Sequence, residues 1–310
     1  MNVTTLFLLP DGQLRAGWRL LLFLVFLVMA MFVFYPAAGA FVRHSTNSIA
    51  VQAVSTVALL AAVSLATWLM MSLIEHQPFS GVGLMLGGKS LVELAIGLGS
   101  GAGLVGGVIG IEWVAGAIHF QWSSGTGFPA WTVIASGAGI FALAAAFEEL
   151  FFRGYGFQRL IEGTNGWAAV ALTSIVFGGL HSRNPHATEL SVANTVLAGM
   201  LLSLAYIKTR ALWLPIGFHF SWNWTLSLVG LPVSGMDLGG MPWRAVAASS
   251  HTWLHGGEYG PEGGVVATAA LSVGILVLLT VKGKTSPSKD LRVPEPGAPE
   301  TPSGPFLNTD

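Results

Sequence analysis

The sequence predicts an all-α, polytopic membrane protein with about eight transmembrane helices, and three observations support this. Only 9% of the 310 residues are charged, whereas 53% are hydrophobic; soluble domains carry about 25% charged residues. The hydrophobic residues form stretches of about 20, the length of a helix that crosses the hydrocarbon core. Lys and Arg are concentrated in alternate connections between these stretches, as is typical of multi-pass proteins.

The composition also excludes several other classes of protein. A soluble enzyme or a disordered chain would need far more charge than this chain carries. A nucleic-acid-binding protein would have a basic patch, whereas the formal net charge is −1. The chain has no Cys, which excludes disulfides, a thiolate nucleophile and Cys-ligated metal.

Eight apolar segments are the predicted transmembrane helices. In chain order they span residues 18–42, 49–74, 90–118, 131–152, 167–180, 192–207, 212–229 and 264–281. The alternative for the first is a signal peptide, because Ala38-Gly39-Ala40 resembles a cleavage site, but its apolar run is longer than the usual ~7–15 residues. In the third segment, Gly99, Gly103 and Gly107 have the spacing that lets helix backbones approach closely.

The segments group into five regions. Residues 1–130 hold helices one to three, 131–230 hold helices four to seven, and 264–282 hold helix eight. Residues 231–263, rich in Gly and Pro, predict an extracytoplasmic loop. Residues 283–310 have almost no apolar content and predict a disordered cytoplasmic tail.

The distribution of basic residues predicts the orientation of the helices. With the N-terminus in the cytoplasm, 11 of the 14 Lys and Arg residues lie on the inner side, and only Arg43, Arg183 and Arg244 lie outside. Since cytoplasmic loops carry the excess of Lys and Arg, we expect both termini to be cytoplasmic, in a plasma (inner) membrane.

Segment four ends with three ionisable residues, which are costly inside a membrane and often functional. Glu149 and Arg153 are four residues apart on one helix face, which predicts a structural ion pair. Glu148 points about 100° away and is predicted to be free for chemistry. The alternative is a cluster that only anchors the end of the helix.

Two further polar motifs lie in segments five and seven. Phe177 and His181 share one helix face, and so do His219 and Asn223. The alternatives are an interfacial histidine at position 181 and a helix–helix hydrogen bond at 219 and 223. Each of Glu148 and His181 lies about 16 residues from the turn signal at 164–166, so a helical hairpin would bring them to the same level. We expect this hairpin to protrude into the cytoplasm, with a cavity open to that side.

Together, the three motifs resemble those of the CAAX prenyl protease and bacteriocin-processing family, also called the Abi family. Its signatures are Glu-Glu-x-x-x-Arg, Phe-x-x-x-His and His-x-x-x-Asn on successive membrane helices. The chain has them in that order as Glu148-Glu149…Arg153, Phe177…His181 and His219…Asn223, and the resemblance covers about residues 131–229.

The resemblance implies an intramembrane endopeptidase. Glu148 and His181 would activate a water, as a general base and acid do, and His219 and Asn223 would stabilise the oxyanion. Glu149, Arg153 and Phe177 would support them. The substrate would be a membrane-associated peptide or protein, either CAAX-like or a peptide precursor; the family's eukaryotic members remove three residues from prenylated CAAX proteins.

The resemblance leaves metal dependence open, because the family is often labelled a metalloprotease. Glu148, His181 and His219 could form a zinc site with an open fourth position. The sequence lacks His-Glu-x-x-His, and we favour metal-independent glutamate chemistry without a cofactor. Two other functions compete with the enzyme: a non-catalytic immunity or scaffold protein that binds a peptide in the same cavity, and a proton-coupled transporter with Glu148 and His181 as relay.

Overall fold

A computed structural model describes residues 6–122, 129–237, 241, 243–248 and 251–281. The protein is an all-α, polytopic membrane protein, in which each of the eight predicted apolar segments forms a helix. These helices are α1 (Ala16–Val42), α2 (Ser48–Leu69, continued by one π turn at Met70–Ile74), α3 (Gly88–Val114), α4 (Ala130–Arg153), α6 (Gly166–His181), α7 (Glu189–Thr209), α8 (Trp213–Leu228) and α10 (Val265–Thr280). Within the described ranges, five helices are long and apolar enough to cross a membrane: α1, α2, α3, α4 with the short helix after it, and α7. Eight crossings therefore stay a prediction.

Two parts of the chain have more structure than their sequence predicts. A short helix, α5 (Tyr155–Gly163), follows α4 after a break at Gly154 and packs against α1 and α6. The 231–263 region is more than a loop: strand β2 (Trp243–Ala247) pairs antiparallel with β1 (Ile118–Trp122), and α9 (Thr252–His255) follows. The predicted disordered tail, 283–310, lies outside the described residues.

The bundle has two ends, which we name by their connections. At the turn end, α5 is joined to α6 around Asn165, which caps α6 by accepting from the Ala168 N–H at 2.9 Å. At the connection end, α8 finishes and residues 229–264 lead into α10. The sequence-predicted turn at 164–166 is confirmed, since α5 ends at Gly163 and α6 begins at Gly166.

Buried charges join three elements at the turn end. Arg19 of α1 and Arg159 of α5 both bind Glu75, which follows α2, with N–O distances of 3.0 and 3.1 Å. Both arginines also pair with Glu162, and the Tyr155 hydroxyl donates to Glu75 at 2.6 Å. This network explains why α5 folds back against α1 instead of continuing the line of α4.

Close packing of α3 on α8 depends on two glycines. A Cβ on Gly97 would lie 2.3 Å from the carbonyl oxygen of Leu214, and one on Gly101 would lie 2.3 Å from Ser221 Oγ. The sequence-based choice of Gly99, Gly103 and Gly107 is wrong, because a Cβ on any of them would meet nothing within 4 Å. Positions 97 and 99 lie about 200° apart on a helix, so the predicted stripe is on the face opposite α8.

Candidate active site

Arg153, at the end of α4, is fully buried and ties α4 to α7. Its guanidinium donates to Glu149 Oε1 at 3.1 Å, so the ion pair expected from the sequence is present. It also donates to Ser203 Oγ at 3.3 Å and to the Gly199 carbonyl at 3.0 Å. Both side chains of the ion pair have 0% exposure. A buried charge is tolerated when it is paired and hydrogen-bonded, and these contacts provide that for Arg153.

His219, on α8, lies between the two adjacent carboxylates of α4. Its Nδ1 donates to Glu149 Oε1 at 2.8 Å, and its Nε2 lies 3.8 Å from Glu148 Oε2. Glu149 thus holds both Arg153 and His219, a second role that the sequence did not indicate. Because Nδ1 carries the proton in the bond to Glu149, Nε2 of the neutral ring is an acceptor.

Phe177, on α6, packs among the charged groups. The Arg153 guanidinium lies 4.8 Å from the centre of its ring, within the range of a cation–π interaction. The ring of His181 is 4.5 Å away, and that of His219 meets Phe177 edge-on at 6.2 Å. His181 Nδ1 donates to the Phe177 carbonyl at 2.8 Å, which leaves Nε2 of the neutral ring as an acceptor.

One glycine sets the distance between α6 and α7. A Cβ on Gly178 would lie 2.4 Å from Val196 Cγ2 and 3.0 Å from the Val192 carbonyl. A larger residue at 178 would therefore push α6, with Phe177 and His181, away from α7. Of the two glycines before His181, only Gly178 is needed for this approach, since a Cβ on Gly179 would meet nothing within 4 Å.

The sequence-predicted residues Glu148, His181, His219 and Asn223 all line one cavity of about 190 Å³. All four come from the three expected helices: Glu148 from α4, His181 from α6, and His219 and Asn223 from α8. Glu148 Oε2 is buried and has no hydrogen-bond partner within the described residues. The rest of the wall is largely apolar and includes Phe141, Phe147, Phe218 and Leu271. The cavity therefore combines an unpaired carboxylate oxygen with two imidazoles and an amide in a poorly hydrated space.

The cavity lies at the connection end of the bundle, which contradicts the expectation that it opens toward the 164–166 turn. Its wall includes Val233, Ser234, Met236 and Glu262, all from the connection between α8 and α10. The expectation assumed one straight helical arm from Glu148 to the turn. The break at Gly154 and the packing of α5 on α1 remove that arm.

The central part of the chain matches a known protein-family model. Residues 127–225 match the family model described as Rce1-like, the type II CAAX prenyl endopeptidase Rce1-like family. This part of the chain is similar to that family, and the match covers 99 of the 310 residues. The comparisons with curated proteins and with solved structures find no match.

The matched segment, residues 127–225, contains all four predicted catalytic residues and the whole of α4. It contains none of the cavity residues that follow α8. It starts before α4 and ends two residues after Asn223. Three parts of the cavity wall lie outside it: residues of α2, the connection between α8 and α10, and Leu271 of α10. The site is thus completed by residues that the family match does not cover.

Glu262 is the charged residue of that connection that sequence reasoning missed. Its Oε1 accepts from Trp222 Nε1 at 3.1 Å, and its Oε2 accepts from the Ser234 N–H and hydroxyl. The Asn194 side chain donates to the Glu262 carbonyl at 2.8 Å. Burial raises the pKa of Glu262, while these hydrogen bonds and the charge of nearby His181 act in the opposite direction.

Only a weak signal in the sequence marks Glu262. It lies in Gly260-Pro261-Glu262-Gly263-Gly264, a composition that predicts a turn and nothing about a distant helix. Trp222 lies between His219 and Asn223, so its indole could have been expected near the site, but its partner is 40 residues away.

The possible zinc ligands Glu148, His181 and His219 share the cavity but do not form an evident metal site. Among the residues that the structure describes, no three His, Asp or Glu side chains are grouped so that they could hold a metal ion. His219 Nδ1 and His181 Nδ1 are engaged with Glu149 and a carbonyl. Each ring therefore has only Nε2 left as a donor atom to a metal.

Proposed function

We propose that the protein is an intramembrane endopeptidase that hydrolyses a peptide bond of a membrane-associated substrate, either CAAX-like or a peptide precursor. One observation carries the proposal: Glu148, whose buried Oε2 has no hydrogen-bond partner among the described residues, lines the same cavity as His181, His219 and Asn223. A general base needs unused acceptor capacity at the place where the substrate binds. The CAAX protease match over residues 127–225 supports the same reaction class.

In this proposal, Glu148 and His181 activate the attacking water. Both can accept a proton, because Glu148 Oε2 is unpartnered among the described residues and His181 Nδ1 already donates to a carbonyl. One group takes the proton of the water as it attacks the scissile carbonyl carbon. The proton is then delivered to the leaving amine nitrogen as the carbon–nitrogen bond breaks.

His219 and Asn223 would stabilise the oxyanion that forms on the scissile carbonyl. The Asn223 amide can donate in any protonation state, but His219 donates from Nε2 only when its ring is doubly protonated. The two glutamates and Arg153 near His219 sum to a charge of −1, which a protonated ring would cancel. Glu149 then serves to hold the ring by Nδ1 and to keep Nε2 directed at Glu148 and the cavity.

We further propose that the reaction needs no metal. The test is cleavage of a peptide library by detergent-purified protein, with and without a chelator. We expect the same products and rates in both, whereas loss of cleavage that zinc restores would assign Glu148, His181 and His219 as ligands.

Variants test the assigned roles in the same assay. Glu148→Gln should abolish cleavage while the protein stays folded, because the amide cannot accept the proton. Asn223→Ala should retain a residual rate, since loss of one oxyanion donor typically costs about 10²–10³-fold. Glu258→Gln is the matched control, because Glu258 is 80% exposed and does not line the cavity. Normal activity of Glu148→Gln would refute its role as base.

Peptide binding and vesicle uptake, measured with the same purified protein, separate the enzyme from the competing functions. A peptide that binds the purified protein without being cleaved would favour the immunity or scaffold protein. Proton-coupled uptake into vesicles without cleavage would favour the transporter.

We also infer that both termini are cytoplasmic and that the protein lies in the plasma (inner) membrane. The N-terminal part of α1 and the end of α10 lie at the turn end, where Arg19 meets Glu162 and Lys208 donates to the Val281 carbonyl. With the basic turn end inside, the cavity lies in the outer half of the membrane, and substrate reaches it laterally or from outside.

A further inference from the structure

The candidate catalytic cavity has a carboxylate on each of two sides. Glu148 lies on one side of it and Glu262 on the side of the connection. No Lys or Arg side chain is among the described residues that line it. Behind the wall, Arg153 is already matched by Glu149. These four groups sum to a charge of −2, or −1 with the protonated His219 ring proposed above, so the site stays negative.

Glu262 is held in a fixed position with acceptor capacity left. A carboxylate offers about four lone-pair sites, and Trp222 and Ser234 fill three of them. The backbone is fixed as well, because Asn194 donates to the carbonyls of Glu262 and Gly264. Asn194 is itself fixed by the Thr268 hydroxyl at 2.7 Å. The carboxylate is therefore ready for one more donor without rearrangement.

No cation in the described cavity wall balances this carboxylate. Burial raises the pKa of Glu262, and the one titratable group that opposes this is His181. A carboxylate removed from water is stabilised by a partner of opposite charge. An incoming cation would supply the missing partner.

We propose, resting on the endopeptidase function proposed above, that Glu262 forms a subsite for a positively charged group of the peptide substrate. The group is an ammonium or guanidinium, supplied either by a Lys or Arg side chain or by a free N-terminal amine. It forms a charge-assisted hydrogen bond to Glu262 Oε1, which has one bond fewer than Oε2. The apolar wall around Phe218 and Leu271 accommodates the neutral part of the peptide.

Cleavage selectivity tests the subsite. Detergent-purified full-length protein is given a randomised decapeptide library in two forms, N-acetylated and with a free amine. We expect peptides that place Lys or Arg at one subsite to be cleaved about 10–100 times faster than their norleucine counterparts, the size of effect of a hydrogen bond to a charged group. If instead acetylation slows cleavage by this factor and Lys and norleucine peptides are cleaved equally, the cation is the terminal amine. Glu262→Gln should bring the ratio close to one, and Glu258→Gln should leave it unchanged.

Binding provides a second measurement that does not require catalysis. The Lys and norleucine forms of one peptide are titrated into the Glu148→Gln protein, with and without Glu262→Gln. We expect the Lys form to bind about 10–100 times more tightly than the norleucine form, and only when Glu262 is present. This preference without cleavage by the wild-type chain would refute the endopeptidase function but support the subsite.

Two results would overturn the subsite. One is that the wild-type cavity binds and cleaves Lys and norleucine peptides equally and also acetylated and free-amine peptides equally, which decides the matter even if Glu262→Gln does not fold. The other is an unchanged preference in a folded Glu262→Gln protein. Cleavage without any charge preference would remove the subsite and leave the endopeptidase function intact.

Discussion

Replacing Arg153 by Met should destabilise the protein strongly, without any change in the cavity wall itself. Arg153 and Glu149 are both fully buried, so the substitution leaves a carboxylate in a site that water does not reach. Among the described residues, His219 Nδ1 is then the one remaining hydrogen-bond partner of the Glu149 carboxylate. Removing one member of a buried ion pair typically costs about 3–5 kcal/mol, which corresponds to a change of roughly 150- to 5,000-fold in the folding equilibrium. The free energy of unfolding is measured by titration with sodium dodecyl sulfate, followed by Trp fluorescence.

Two matched variants show whether the buried charge is the cause. Arg244→Met removes an arginine whose ion pair with Asp237 is exposed, at 65% and 42%, and should cost no more than about 1 kcal/mol. Adding Glu149→Gln to Arg153→Met removes the stranded charge and should recover much of the loss, a coupling that a double-mutant cycle measures. Additive costs, or a loss no larger than that of Arg244→Met, would refute the reasoning.

Three further predictions concern other parts of the molecule. Gly101→Ala should destabilise the protein by about 1–3 kcal/mol because its Cβ would meet Ser221 Oγ at 2.3 Å, whereas Gly99→Ala should have little effect in the same titration. The raised pKa of Glu262 means that the folded state binds this proton more tightly, so stability should fall as the pH rises above the ordinary value of 4.5; Glu262→Gln should flatten that slope. Since the chain has no Cys, Asn165→Cys gives a single thiol that should react with an impermeant maleimide only from the cytoplasm. Labelling from outside would reverse the orientation.

Residues close in the chain could be assigned from the sequence, and residues far apart could not. The Glu149–Arg153 pair follows from a separation of about one helical turn. The same rule places His219 and Asn223 on one face of α8. The hydrogen bond between His219 and Glu149 joins residues 70 apart, and its geometry depends on how α8 is rotated against α4. No sequence pattern within either helix specifies how the two helices are rotated against each other.

The glycines of α3 show the same limit. Gly97 and Gly101 have the same four-residue spacing as Gly99, Gly103 and Gly107, so spacing cannot choose between two opposite faces. The choice is made by the partner, because α8 brings Gly217 against the Leu94 carbonyl at a Cβ distance of 2.6 Å. Glu262 is a second example, since its place in the cavity depends on the path of the whole connection.

The position of the connection has a consequence for the order of events during synthesis. Ser234, Glu262 and Leu271 are synthesised after α8, and β2 pairs with β1 across more than 100 residues of intervening chain. A nascent chain of the first 228 residues has Glu148, His181 and His219 but lacks one side of the cavity. The wall of the cavity is therefore complete only after Leu271 has been translated.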